Sequence, residues 1–153
     1  MVLVSGETVS IPYRVDFDEV MSRTPFSTLQ LEILDCLQTR HHDGYVRERA
    51  LRRIIGLNTP WSVPFVVQLA SEYVTEILEL IETNWGQIDE RMLGRFLADN
   101  PRFQARVRAR VISYWNLHWK RPQRESYVGF KLLARMDQAL ALTHRSDAPA
   151  GET

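Results

Sequence analysis

Apolar residues recur at steps of three and four along most of this chain, which is the spacing of one face of an α-helix. The stretch Leu31–Leu57 is the clearest case, and its pattern predicts two amphipathic helices joined by a tight polar turn. Ser27 or Thr24 is placed to cap the first of these helices, and Asp43 is placed to cap the second. The helical part of the chain is therefore expected to begin with a helical hairpin.

Four further helices are predicted downstream. The third begins at Thr59 and Pro60, where the threonine is the expected cap and the proline the first helical residue, and it continues to about residue 83. It is apolar on most sides, so we expect it to lie centrally. The fourth helix spans about 87–98, the fifth about 101–119 after an Asn100-Pro101 start, and the sixth about 125–143.

The first fifteen residues follow a different pattern. Every second residue from Val9 to Val15 is apolar, which predicts a half-buried strand, and Pro12 suits a strand at the edge of a sheet. Val2 and Val4 can form a partner strand. An isolated hairpin is only marginally stable in water. This β-arm is therefore expected to pack on the helices, to pair with a second copy in a homodimer, or to stay flexible.

Together these patterns predict an all-α protein of five or six helices with a short N-terminal β-arm or hairpin. The expected division is a β-arm over residues 1–15, a single helical domain over 16–143 and a disordered tail over 144–153. A length of 153 residues fits one domain that folds without disulfides or metal. The single cysteine, Cys36, excludes an internal disulfide and gives no CxxC motif.

The second helix of the predicted hairpin carries a distinctive order of residues. Asp43 is followed by Val46 and Arg47, and then by Ala50 and Ile54. This order resembles the second helix of a HEAT repeat. The resemblance implies a short α-α stack that binds partners along one face, with Arg47 able to reach an acidic neighbour. The later helices do not repeat this order, so an irregular helical bundle is the alternative arrangement.

The formal net charge at pH 7 is zero, but the charges are unevenly distributed. The segment 102–124 contains basic and aromatic residues and no acidic residue. Its members are the candidate partner-binding residues, namely Arg102, Arg106, Arg108, Arg110, Trp115, Trp119, Lys120, Arg121 and Arg124.

This basic segment has three interpretations. An acidic protein partner can dock on it, or nucleic-acid phosphates can bind the arginines while bases stack on the aromatic rings. Alternatively, its arginines form a solvated face or pair internally with an acidic helix face formed by Glu72, Glu76 and Glu79. Trp61 and Trp85, like Trp119, lie at predicted helix boundaries, where they either contact a partner or fill the ends of the helices.

No sequence motif of catalytic or metal chemistry stands out. The run His41-His42-Asp43 lacks a further ligand at helical spacing, so a capping turn explains it better than a metal site. We therefore expect a non-enzymatic binding module, a protein–protein adaptor or regulator, without cofactor or metal. A nucleic-acid-binding module centred on residues 102–124 is the first alternative, and a small enzyme with an unrecognised site is the second.

The longest apolar runs are a handful of residues, far short of the ~20 that a membrane-spanning helix needs. The first residues also lack the basic and apolar regions of a signal peptide. The sequence therefore predicts a cytoplasmic protein without a membrane partner.

Overall fold

The computed structural model describes residues 1–17, 25–118 and 126–146. These residues form a two-stranded antiparallel sheet followed by seven α-helices and one short 3₁₀ helix. The strands are β1 (Val2–Val4) and β2 (Glu7–Val9), and the 3₁₀ helix is Trp85–Gln87. The helices are α1 (Thr28–Gln38), α2 (Gly44–Ile54), α3 (Val63–Leu69), α4 (Thr75–Thr83), α5 (Glu90–Asp99), α6 (Pro101–His118) and α7 (Val128–Ser146).

The predicted mainly helical fold with a short N-terminal hairpin is confirmed, whereas the predicted count of five or six helices is wrong. The difference arises in the third predicted helix, which is two helices, α3 and α4. The chain leaves the helical conformation over residues 70–74, and Glu72 within this break is 1% exposed. This break directs the Glu72 side chain into the interior, where it pairs with arginines. The helical spacing of apolar residues continues across residues 70–74, so the sequence pattern does not reveal the break.

The N-terminal hairpin closes through a two-residue turn. Ser5 and Gly6 have φ angles of 50° and 87°, and two successive positive φ angles give the type I′ geometry that matches the twist of paired strands. Val2 pairs with Val9 in the antiparallel register, so the strand predicted to continue from Val9 towards Val15 ends at its first residue. Beyond it, Val15 forms only a parallel bridge with His41.

The Asn100 side chain hydrogen-bonds the hairpin to the helices. The Asn100 amide oxygen accepts a hydrogen bond from the Leu3 backbone N–H at 2.7 Å, and its nitrogen donates to the Leu3 carbonyl at 2.8 Å. Asn100 thus acts as a short neighbouring strand at the outer edge of β1. Val2 is 4% exposed and belongs to the hydrophobic core, so the β-arm packs on the helices.

Local sequence signals set most of the helix starts. Ser27 forms a capping box with Gln30, and the Asp43 side chain accepts a hydrogen bond from the Tyr45 N–H, so both predicted caps are confirmed. The alternative cap Thr24 lies outside the described residues. The predicted Thr59 cap is wrong, because α3 begins at Val63 after a turn.

The helices close into a bundle-like arrangement in which α7 packs against α4, α5 and α6. α1 packs on α2, and α2 packs on α4. The centre consists of buried apolar side chains from all seven helices, among them Cys36 of α1, Leu51 of α2, Leu69 of α3, Ile77 of α4, Leu97 of α5, Val111 of α6 and Leu132 of α7. None of the helices in the described part of the chain is long and apolar enough to cross a membrane.

Gly94 allows the close packing of α5 on α7. A Cβ atom at this position would collide with the Ala139 carbonyl oxygen and the Thr143 hydroxyl, and the first of these is backbone. We therefore expect Gly94→Ala to destabilise the fold by about 1–3 kcal/mol through overpacking. Helix propensity alone predicts the opposite sign, a gain of about 1 kcal/mol.

The measurement is the free energy of unfolding from urea denaturation. Gly86→Ala is the matched control, because a Cβ there meets nothing within 4 Å, and its effect should stay within about 0.5 kcal/mol. A Gly94→Ala variant as stable as the wild-type protein would contradict this account of the α5–α7 contact.

Candidate binding surface

A cluster of arginines surrounds one carboxylate in the interior of the protein. The Glu72 carboxylate lies 2.8 Å from Arg14, 3.4 Å from Arg40 and 3.7 Å from Arg47. The side chains of Glu72, Arg40 and Arg47 are at most 1% exposed. With three guanidinium groups against one carboxylate, these described residues leave an excess of two positive charges in a largely buried place.

Backbone carbonyl groups offset part of this excess. Arg40 donates to the Pro12 carbonyl at 3.2 Å and to the Tyr13 carbonyl at 2.7 Å. Arg47 donates to the carbonyls of His41 and His42 at 2.9 and 2.8 Å. His41 and His42 belong to the turn between α1 and α2. The cluster therefore holds residues 12–13 against the turn between α1 and α2.

Arg40 remains charged in this environment. Burial lowers the pKa of Arg40 to about 10, Glu72 opposes this shift, and the nearby charges of Arg14 and Arg110 add to it. A pKa near 10 still leaves the guanidinium protonated at neutral pH.

The alternative in which Glu72 pairs with the arginines of α6 is wrong, because Glu72 binds Arg14, Arg40 and Arg47 instead. Glu76 and Glu79 are exposed. The expectation that Arg47 reaches an acidic neighbour is confirmed by its contact with Glu72.

The α6 arginines fall into two groups. Arg108 forms an ion pair with Asp137 on α7. Within the part of the chain that the structure describes, no carboxylate lies within 4 Å of the other three, Arg102, Arg106 and Arg110. Arg102 and Arg106 are exposed, and Arg110 is half-buried.

Aromatic rings orient two of these arginines. The Arg106 guanidinium lies 5.6 Å from the centre of the Phe103 ring. The Arg110 guanidinium lies between two tyrosines, 5.4 Å from the Tyr13 ring and 5.9 Å from the Tyr114 ring. Cation–π contacts of this kind hold a guanidinium in place without consuming its N–H donors.

A groove with a volume of about 260 Å³ opens between the N-terminal segment and α6. Ile11 and Tyr13 line one side, and Arg106 and Arg110 line the other. Gln68 and Ser71 from the end of α3 also line it. The sequence pattern did not identify Tyr13 or Gln68 as binding residues, because only the fold brings them beside α6; the one local signal was an apolar ring in a strand pattern.

The predicted tryptophans have different surroundings. Trp115 of α6 is half-buried, and its ring packs edge-on against Phe130 at 5.5 Å. Trp85 is 4% exposed and donates to Glu90 at 2.6 Å, as expected of a residue that fills the end of a helix, whereas Trp61 is 40% exposed. Trp119, Lys120, Arg121 and Arg124 lie outside the described residues.

A second groove, with a volume of about 420 Å³, lies on the other side of β1. Leu3 and Pro60 line it together with charged residues of both signs near α5, namely Asp89, Arg91, Arg95 and Asp99. Because these charges balance, this groove lacks the one-sided field of the first.

The run His41-His42-Asp43 has a structural role. The Asp43 N–H donates to Nδ1 of His41 at 3.0 Å, so Nε2 carries the proton and donates to the Phe17 carbonyl at 2.7 Å. Among the described residues there is no group of three or more His, Cys, Asp or Glu side chains placed to hold a metal ion.

No protein-family model, curated protein or solved structure matches this chain. The HEAT resemblance of the α1–α2 hairpin therefore stays a prediction, and the functional argument depends on the residues themselves.

Glu72 should be required for stability. We expect Glu72→Gln, which keeps the shape and removes the charge, to destabilise the fold by about 3–5 kcal/mol, because three guanidinium groups would lose their buried counter-ion. Urea denaturation checks this value. Glu79→Gln removes an exposed carboxylate from α4 and should change stability by no more than about 0.5 kcal/mol; equal effects of the two substitutions would refute the role given to Glu72.

Cys36 should be chemically inert in the folded protein. Burial raises the pKa of the Cys36 thiol to about 12, and the charges of Asp35 and Glu32 add to the shift. We expect alkylation by iodoacetamide at pH 8 to be at least about a hundredfold slower than in denatured protein, because the thiolate is the reactive form.

The same shift predicts how stability depends on pH. The unfolded thiol, with a pKa of 9.0, ionises before the folded one, so the contribution of Cys36 to stability is complete below pH 9 and decreases between pH 9 and 12. Cys36→Ser should weaken this decrease. Rapid alkylation of the native protein would contradict the buried placement.

Proposed function

We propose that this protein is a non-enzymatic binding module, an adaptor or regulator, that holds an acidic segment of another protein in the groove between residues 11–13 and α6. The observation that carries the proposal is the local excess of arginine. Around the groove and the cluster beneath it, the described residues place five guanidinium groups and one carboxylate, namely Arg14, Arg40, Arg47, Arg106, Arg110 and Glu72.

This excess is local, since the whole chain has a net charge of zero. Arg40 and Arg47 are buried and cannot touch a partner, but their charges are poorly screened in the interior. Charge of one sign focused in a cleft attracts a partner of opposite sign and raises its association rate. The field at this groove therefore favours an acidic partner.

Tyrosines provide the contact area beside the arginines. Tyr13 is 65% exposed and Tyr73 is 55% exposed, and the Tyr73 ring lies 5.9 Å from the Tyr114 ring. Tyrosine and arginine, together with tryptophan, are the residues that most often contribute the binding energy of protein interfaces. The rings of Tyr13 and Tyr114 also hold the Arg110 guanidinium in place, which reduces the entropy lost on binding.

The chemistry of these groups supports binding rather than catalysis. A guanidinium group stays protonated at neutral pH, so it neither takes nor gives a proton in a reaction, while its five N–H donors match acidic oxygens. A compact groove also fits a short peptide segment better than it fits an extended nucleic-acid backbone. Nucleic-acid binding is therefore an outcome that the experiment must distinguish.

The test measures binding of a fluorescent pool of short acidic peptides by anisotropy. We expect the double variant Arg106→Glu with Arg110→Glu to lower the affinity at least about tenfold, because it removes two attractive charges and adds two repulsive ones. Raising the salt concentration should also weaken binding.

The matched control is Arg91→Glu with Arg95→Glu, which makes the same change in net charge at exposed positions of α5 in the second groove. Equal losses in the two double variants would show that net charge alone governs binding and would refute the groove as the site. Tighter binding of a single-stranded oligonucleotide than of the peptides would favour the nucleic-acid function.

A further inference from the structure

We infer that the groove recognises a phosphate monoester, so that the acidic segment it holds is a phosphorylated one, with the phosphate placed between Arg106 and Arg110. This inference depends on the proposed function and specifies its ligand. It follows from the number, geometry and free donors of the polar groups that line the groove.

Arg106 and Arg110 present their donors together. They are one helical turn apart on α6 and line the same groove. Within the described part of the chain, the Arg106 side chain makes no hydrogen bond, and the Arg110 side chain makes a single long one of 3.4 Å to the Tyr114 hydroxyl. Two guanidinium forks with nearly all of their N–H donors available therefore border one small space.

The oxygens of the ligand decide which anion satisfies both forks. A carboxylate has two oxygens, and one bidentate arginine occupies their outer edge, so a second fork must bind it in a poorer orientation. A phosphate monoester has three terminal oxygens and offers a separate edge to each fork. Its charge of about −1.5 to −2 at neutral pH also matches the arginine excess better than the single charge of a carboxylate.

The remaining lining of the groove suits a phosphorylated side chain. Gln68 is half-buried, and its side-chain amide makes no hydrogen bond to another described residue, so it is available as a neutral donor. Ser71 is 1% exposed, and its hydroxyl donates to the Gln68 carbonyl at 2.8 Å, which fixes the backbone there. Ile11 and Tyr13 offer apolar contact to the residues that flank the phosphate.

The size of the groove points the same way. Its volume of about 260 Å³ is below the range of about 300–1,000 Å³ typical of whole small-molecule sites, so it suits one modified side chain of a longer segment. A phosphodiester of nucleic acid has two terminal oxygens and one charge, so it resembles the carboxylate rather than the monoester. The geometry therefore favours a phosphorylated protein over nucleic acid.

The experiment compares pools of short peptides with degenerate acidic and apolar flanks that differ only in the central residue, which is phosphoserine, serine or glutamate. Fluorescence anisotropy with the wild-type protein measures each affinity. We expect the phosphoserine pool to bind at least about tenfold more tightly than the serine pool, with the glutamate pool close to serine. Degenerate flanks make the result independent of the natural sequence of the partner.

A charge-conserving variant tests the role of the two forks. Arg106→Lys with Arg110→Lys keeps both positive charges and removes the planar donor pairs. We expect it to retain the affinity for the serine pool within about threefold and to lose most of the preference for phosphoserine. Unchanged far-UV circular dichroism and melting temperature establish that the variant is folded.

Each remaining outcome overturns a different claim. Equal binding of the phosphoserine and serine pools would refute the phosphate inference and leave the proposed function standing. Failure of all pools to bind would refute both. A preference for phosphoserine that survives the lysine variant would place the phosphate elsewhere, and oligonucleotide binding as tight as that of the phosphoserine pool would replace the phosphorylated protein with nucleic acid.

Discussion

The burial of Glu72 among arginines is the constraint on which the rest of this structure depends. Moving an ion out of water costs several kcal/mol unless partners surround it. Glu72 obtains those partners from three parts of the chain: Arg14 of the N-terminal segment, Arg40 after α1 and Arg47 of α2. The interruption between α3 and α4, the path of residues 12–15 and the placement of the α1–α2 hairpin all follow from the position of one carboxylate.

The same cluster positions the candidate binding surface. Arg40 holds the Tyr13 carbonyl, and the Tyr13 ring in turn contacts the Arg110 guanidinium at 5.4 Å. Tyr13 thus connects the groove to the buried Arg40, and the buried arginines add to the positive charge near the groove. Structural and binding roles are therefore shared by one set of interactions, so a loss of stability at Glu72 also disturbs the surface that we propose as functional.

The sequence predicted those features that local chemistry determines. Ser27 and Asp43 were identified as caps, and Asn100-Pro101 marked the start of α6, because each signal lies within a few residues of its effect. The break at Glu72 was missed, since its cause is a partner 58 residues away in Arg14. The arginines of α6 were identified as candidates because they lie close together in the sequence. Tyr13 and Gln68 were not identified, because only the fold brings them to the groove.

Asn100 also restricts how the hairpin can pair with another strand. Its side chain binds both the N–H and the C=O of Leu3 and so occupies the outer edge of β1. These two backbone groups of Leu3 therefore point away from β2. In an antiparallel pair the residue opposite, Thr8, must then direct its own N–H and C=O outwards from β2. The edge that remains for strand addition is that of β2, which has three residues and offers two backbone hydrogen bonds, both at Thr8. A homodimer formed at this edge would have to be held mainly by side-chain contacts.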